Sequence, residues 1–185
     1  MKGIQNQNFL PNLINKCLEN DRLAQQELYV QFKNKMFVLC LRYANSREDA
    51  EDVLQDGFIK VFRDLKQYNG SGCFEGWVRK VMVNVALEHI RKEKKKPFQT
   101  GLEQIEFKAS EETSFFEKEN QAKALIQLMR KMPIGFRTVL NLYILEGYTH
   151  PEISAILGIS VGTSKSQLLR AKGCLRKLLK DSLVA

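Results

Sequence analysis

One stretch constrains the fold of this chain more than any other: Gly147-Tyr148-Thr149-His150-Pro151-Glu152-Ile153-Ser154-Ala155-Ile156-Leu157-Gly158-Ile159-Ser160-Val161-Gly162-Thr163. Its local chemistry describes two short helices and a tight turn. Thr149 is a good N-cap, Glu152 three residues later completes a capping box, and Pro151 lies in the first turn, where a missing amide costs little. Ile153, Ile156 and Leu157 give this helix an apolar face. Gly158 supplies the positive-φ residue that ends it, Ile159 plugs the turn, and Ser160 caps the next helix. That second helix carries Thr163, Ser164, Lys165, Ser166, Gln167 and Arg170 near its start. The pattern is helix-turn-helix, with two readings: a DNA-binding element, or a helical corner in some all-α protein.

Charge favours the first reading. From Val161 to Ala185 there are six bases against one acid, a net +5, with Arg170, Lys172, Arg176, Lys177 and Lys180 outside a seam of Leu168, Ala171, Leu175 and Leu178. The whole chain carries 29 basic and 21 acidic residues, a formal +8, which suits a polyanionic partner. Its 185 residues and 44% hydrophobic content are enough for one large domain or two small ones. No apolar run reaches the length of a membrane helix and no signal peptide precedes the first helix, so no membrane insertion and a cytoplasmic location are expected. Cys17, Cys40, Cys73 and Cys174 are scattered, and with His89 and His150 they form no zinc-ligand spacing. Four reduced thiols, mostly buried, are expected, with no metal and no cofactor.

Along the chain the apolar positions keep a helical period. Residues 8 to 19 predict a short helix with Phe9, Leu13, Ile14 and Leu18 inward. Asp21 caps a longer one with Leu28, Phe32, Met36, Leu39 and Tyr43 inward. Ser46-Arg47-Glu48-Asp49 is a second capping box, opening a helix from Ala50 to Leu65 whose core stripe is Ala50, Val53, Leu54, Phe58, Val61, Phe62 and Leu65. Asp52, Gln55, Asp56, Ile59 and Arg63 share another face by their spacing. Ile59 there is either an isolated surface residue or the apolar centre of a docking site rimmed by charge.

After the loop at Asn69-Gly70-Ser71-Gly72, the segment from Cys73 to Lys92 is rich in β-branched residues, but its length and polar spacing favour a helix over a strand. Val78, Val81, Met82, Val85 and His89 share one face; Lys80, Asn84 and Arg91 line another, with Trp77 and Arg79 at its start. An aromatic among bases suits single-stranded nucleic acid; the alternative is a core tryptophan beside solvated bases. Lys92-Glu93-Lys94-Lys95-Lys96-Pro97 closes the helix. From Phe98 to Asn120 there are six glutamates against two lysines, which reads as an acidic flexible linker. Beyond it, Ala124, Leu125, Leu128 and Met129 form one amphipathic helix. Pro133 starts the next, with Phe136, Val139, Leu140, Tyr143 and Ile144 inward and Gly147 as its stop. The expected architecture is all-α: two small helical domains, residues 1–97 and 121–185, joined by a linker over 98–120.

Asp49-Ala50-Glu51-Asp52-Val53-Leu54-Gln55-Asp56-Gly57-Phe58-Ile59-Lys60-Val61-Phe62, followed by Phe74-Glu75-Gly76-Trp77 through Asn84 to Arg91, resembles the second domain of extracytoplasmic-function sigma factors. The stretch from Leu128-Met129-Arg130-Lys131-Met132-Pro133 through Gly162-Thr163 to Arg170-Ala171 resembles the fourth domain of the same family. Both lie in the family's order and cover nearly the whole chain. The resemblance implies a non-enzymatic subunit that binds core RNA polymerase, directs it to promoter DNA and helps open it, with an anti-sigma factor as a further partner in many members. Carried over by position, Asp52, Gln55, Asp56, Ile59 and Arg63 would dock on polymerase. Trp77, Arg79, Lys80, Asn84 and Arg91 would meet the melted −10 element, beside a base-capturing loop from Tyr68 to Cys73. Thr163, Ser164, Lys165, Ser166, Gln167 and Arg170 would read the −35 element, with Lys172 and Arg176 on phosphates.

This sequence departs from the family pattern at four places. Ser164 stands where valine is usual, Gln167 where arginine is common, Glu88 where aspartate is usual, and Gly76 where a hydroxyl residue is commoner. Two other classes compete with the family reading. A conventional helix-turn-helix regulator would bind duplex DNA without joining polymerase. An all-α enzyme would need a nucleophile–base pair, phosphate loop or metal motif, none of which the sequence offers.

Overall fold

The computed structural model describes residues 9–95 and 117–184, all helix and connecting turn with no strand among them. The chain divides into two compact units, Met1–Ile90 and Arg91–Ala185.

In the first unit, α1 (Phe9–Leu18) packs on α2 (Arg22–Tyr43), which packs on α3 (Arg47–Asp64). Both predicted caps form. Asp21 accepts from the amides of Leu23 and Ala24 at 2.8 and 3.2 Å. Ser46 and Asp49 exchange the two bonds of a capping box at 2.9 and 3.1 Å. A short 3-10 turn, Leu65–Gln67, ends α3, and α4 (Phe74–Lys95) follows the glycine loop. The segment rich in β-branched residues is therefore helical, because packing of one face outweighs propensity.

Glycine at position 57 decides how closely α4 lies on α3. A Cβ there would fall 2.2 Å from the sulfur of Met82, which is itself fully buried. Two polar pairs follow the same seam: His89 Nε2 lies 2.8 Å from Asp56 Oδ2, and Lys60 Nζ donates to Glu88 at 3.0 Å. At the other end α4 reaches α2, where Phe74 packs edge-on against Phe32 and Lys35 pairs with Glu75 at 2.7 Å.

After α4, the next described helix is α5 (Glu117–Arg130) of the second unit, so Glu117 to Asn120 are helical where composition reads as linker. Alanine, lysine and glutamate in the segment that follows are strong helix formers and carry the helix back past the expected boundary. The rest of the expected linker and its junction with the first domain lie outside the described residues. Then come α6 (Ile134–Leu140), a π-helical turn (Asn141–Leu145), α7 (His150–Leu157) and the long α8 (Val161–Val184), which packs on α5, α6 and α7.

Several core expectations are corrected. In α1, Cys17 is buried while Phe9 is exposed and Leu18 is half-buried, since the helix meets α2 along Leu13, Ile14 and Cys17. Phe62 and Val81 are half-buried, and α4 buries Val83, Ala86 and Leu87 as well, because it packs against more than one helix. In α5, Met129 is buried but Ala124 and Leu125 are exposed. Tyr143 and Ile144 also face outward. The π turn inserts one residue into the helical register, with Glu146 N bonded to Asn141 O at 3.0 Å, and Asn141 and Leu142 turn inward in their place. Of the four thiols, Cys17 and Cys40 are buried, Cys174 is half-buried and Cys73 is exposed; burial pushes the Cys40 thiol up to about 12.

Trp77 is the chain's single tryptophan, so its fluorescence reports on the first unit alone. Gly57→Leu should lower the stability read from that signal by about 1–3 kcal/mol, the usual cost of forcing a side chain into a filled seam. Gly173→Ala, at an open position on α8, should leave the same transition in place. Denaturant titration of both variants checks this.

Candidate nucleic-acid interfaces

The outward face of α3 carries Asp52, Gln55, Asp56, Ile59 and Arg63 together, all exposed, as spacing of three and four on a helix requires. Ile59 is 64% exposed at the middle of this stripe. Asp56 is held on one side by His89 of α4, and Arg63 donates to Asp64 at 3.0 Å. That neighbouring guanidinium keeps the Asp64 carboxyl below its ordinary value. The stripe is thus an apolar centre among charges, the chemistry of a docking rim and core.

On α4, Lys80, Asn84 and Arg91 are exposed and Arg79 is half-buried. Trp77 is packed against other aromatics yet keeps part of its surface exposed. One side stacks on Phe74 with centroids 5.7 Å apart, Tyr68 lies 5.8 Å away, and the indole remains half-buried with a remaining accessible part. Tyr68 also meets Phe74 edge-on at 5.0 Å and donates its hydroxyl to Gly72 O at 2.9 Å, tying the loop over Asn69–Cys73 back to the helix. Gly70 and Gly72 take positive φ of 76° and 83°, and Asn69 Oδ1 accepts from both the amide and the hydroxyl of Ser71. Sequence reasoning singled out Trp77 and missed Tyr68 and Phe74 as its support. The only available signal was the closeness of three aromatics on either side of a glycine loop. An aromatic platform with Lys80 one turn further along the helix can stack an unpaired base and hold its phosphate.

In the second unit the helix-turn-helix forms as its local chemistry requires. Thr149 and Glu152 make the capping box, with Glu152 Oε2 accepting from the Thr149 amide and hydroxyl, both at 2.7 Å. Gly158 has φ 65°, and Ser160 Oγ accepts from the Thr163 amide at 3.0 Å to cap α8. Ile153 is buried, with Ser164, Leu168 and Ala171 as the inner line of α8.

This inner line corrects one expected DNA contact. Ser164 is completely buried and sits 2.9 Å from His150 Nδ1, so it joins α8 to α7 and offers no surface for a DNA contact. Gln167 is half-buried and packs near Gly135 of α6. Consecutive residues on a helix are about 100° apart, so the run from Thr163 to Gln167 cannot all face one way. Thr163 is half-buried; Lys165, Ser166, Arg170, Lys172 and Arg176 are exposed. Ser166 donates its hydroxyl to Thr163 O at 3.0 Å, leaving its oxygen as an acceptor.

Hydrogen bonds from the Thr149 hydroxyl first, and from its amide second, hold the Glu152 carboxyl below its ordinary 4.5. A carboxyl depressed in the folded state adds stability above its unfolded value, and this is lost as pH falls through the folded one. Glu152→Gln should therefore weaken the chain in urea at neutral pH, and the difference from wild type should shrink below pH 4.5, followed by far-ultraviolet circular dichroism.

Comparison with known proteins covers both units. The sigma-70 region 2 family matches residues 28–96, and sigma-70 region 4 matches residues 122–175. The chain is similar to RNA polymerase sigma-H factor of Pseudomonas aeruginosa, with 25% identity over 92% of this chain and 94% of that protein. It is also similar to ECF RNA polymerase sigma-E factor of Escherichia coli K12, with 26% identity over 86% and 88%. Among solved structures, the fold resembles sigma factor RpoE in complex with the anti-sigma factor NepR from Bartonella quintana, at TM-score 0.52 and 20% identity over 84% of this chain and 96% of that one. A conventional helix-turn-helix regulator leaves the match over 28–96 unaccounted for. With both regions present in order and relatives aligned along most of its length, the chain belongs to the sigma-70 family and is a sigma factor of the extracytoplasmic-function group.

Proposed function

We propose that this sigma factor, which directs transcription initiation, divides its work between separate helix faces. The observation that carries the division is that three exposed faces bear three different chemistries: acid around an apolar centre on α3, aromatic and basic groups on α4, and dense positive charge on α8. The α3 stripe of Asp52, Gln55, Asp56, Ile59 and Arg63 docks on core RNA polymerase. Trp77, Arg79, Lys80, Asn84 and Arg91, with the loop from Tyr68 to Cys73, hold the opened strand of the −10 element. Selective binding of that strand offsets the cost of unstacking the duplex. Thr163, Lys165, Ser166, Gln167 and Arg170 meet the duplex −35 element, and Lys172 and Arg176 bind its phosphates. The described helices include none long and apolar enough to cross a membrane. The protein acts in the cytoplasm as a non-catalytic subunit, polymerase performing the nucleotidyl transfer. An anti-sigma protein, the kind of partner seen with the Bartonella RpoE, is the further partner we assign to it.

The decisive experiment mixes the purified protein with core polymerase lacking sigma and genomic DNA, and maps RNA start sites. Complex formation and new starts are expected; absence of both removes the reading. Asp52→Lys with Asp56→Lys should weaken core binding with helix content unchanged. Lys165→Ala and Arg170→Ala should spare core binding, weaken promoter capture and flatten its salt dependence, the signature of lost phosphate contacts. Ser164→Val, changing only a buried side chain, should keep the base preference of the promoter intact. Altered preference in that variant would place Ser164 back at the DNA.

A further inference from the structure

Leu169 is 74% exposed, the most exposed of the apolar residues on the outer side of α8, where Val161 and Leu179 near the two ends are much less so and lysine, arginine, serine and glycine surround it. Its position in the helical register gives this exposure meaning. At about 100° per residue, Leu169 points away from the buried line of Ser164, Leu168 and Ala171. Its surface neighbours one turn before and after are Lys165, Ser166, Lys172 and Gly173, all exposed. Gly162 lies on nearly the same line one turn further back, and Gly173 has nothing within 4 Å of where a Cβ would stand. The outermost ridge of α8 is thus low at both ends and apolar at its middle, flanked by cations that would grip the two phosphate walls of a groove.

An isolated exposed leucine is ordinary on a protein surface. One placed at the centre of a basic recognition face is brought against the floor of the major groove whenever the flanking cations reach the phosphates. Among base edges there, thymine alone presents a methyl group, and an aliphatic side chain is its matching contact. The hydroxyl proton of Ser166 is already donated to its own helix, and the remaining polar groups of this ridge suit hydrogen bonds, which leaves Leu169 as its one apolar group for a methyl contact.

We propose that Leu169 is a specificity-determining residue that packs against the 5-methyl group of a thymine in the upstream promoter element. The proposal rests on the assignment of α8 to the −35 duplex. Burying one methyl against a leucine is a small, local gain, so the loss expected on removing either partner is about three- to tenfold in binding.

The test uses the reconstituted holoenzyme and a promoter fragment recovered by start-site mapping. Each thymine of the upstream element is replaced in turn by deoxyuridine, which removes the methyl and keeps every hydrogen-bonding group. For wild type, one position should weaken binding about three- to tenfold, and Leu169→Ala should weaken binding to the parent fragment by a similar factor. The same deoxyuridine should cost Leu169→Ala less than about twofold, because the contact is already gone. Leu169→Ser serves as a second variant, and circular dichroism verifies folding of both. Equal deoxyuridine losses in wild type and variants, no sensitive thymine, or no thymine in the element overturns the proposal. Lys165→Ala and Arg170→Ala run alongside separate the two failures. If they still weaken upstream binding, only the Leu169 assignment falls; if they do not, the −35 assignment falls with it.

Discussion

Between α3 and α4 there is no room for a side chain at position 57. Met82 occupies that space, and the approach it allows governs the first unit. Each helix buries one face in this seam and another against the rest of the unit, so only a narrow outer face of each is left to solvent. The stripe of Asp52, Gln55, Asp56, Ile59 and Arg63 on α3 and the aromatic-basic surface on α4 are what remains outside. Asp56–His89 and Lys60–Glu88 close the same seam at its edge. They are partly exposed pairs and contribute little stability each. Their effect is geometric: Asp56 on the outward stripe of α3 is oriented by His89 of α4. The two faces proposed for docking and for strand capture thus lie on one packed pair of helices.

The second unit solves a different problem with local devices. A capping box, a left-handed glycine and a serine cap fix the turn between α7 and α8. What remains is rotation of α8 about its own axis. Ser164 bonded to His150, with Leu168 and Ala171 beneath it, sets that rotation. A polar residue at a position where the family usually has valine is accommodated because the histidine supplies its partner, as a buried hydroxyl requires. The π turn before α7 has a similar consequence. By shifting the register, it places Asn141 and Leu142 in the core and releases Tyr143 to stack on His150, with centroids 4.6 Å apart.

Much of this protein was determined by its sequence alone. Helix identity, the caps at Asp21, Ser46, Thr149 and Ser160, the turn at Gly158, and the face shared by Asp52 through Arg63 all depend on residues within four or five positions of one another. Such interactions are local, and a helical period reports them directly. The tertiary structure decided the rest, because it depends on which face each helix buries. Cys17 replaced Phe9 at the α1 contact, Trp77 became half core and half platform, and the π turn exchanged Tyr143 and Ile144 for Asn141 and Leu142. Along α8 the consecutive run of polar residues was legible, but its division was not. Contacts from α7 buried Ser164 and left Leu169, which no local rule singles out, on the exposed ridge.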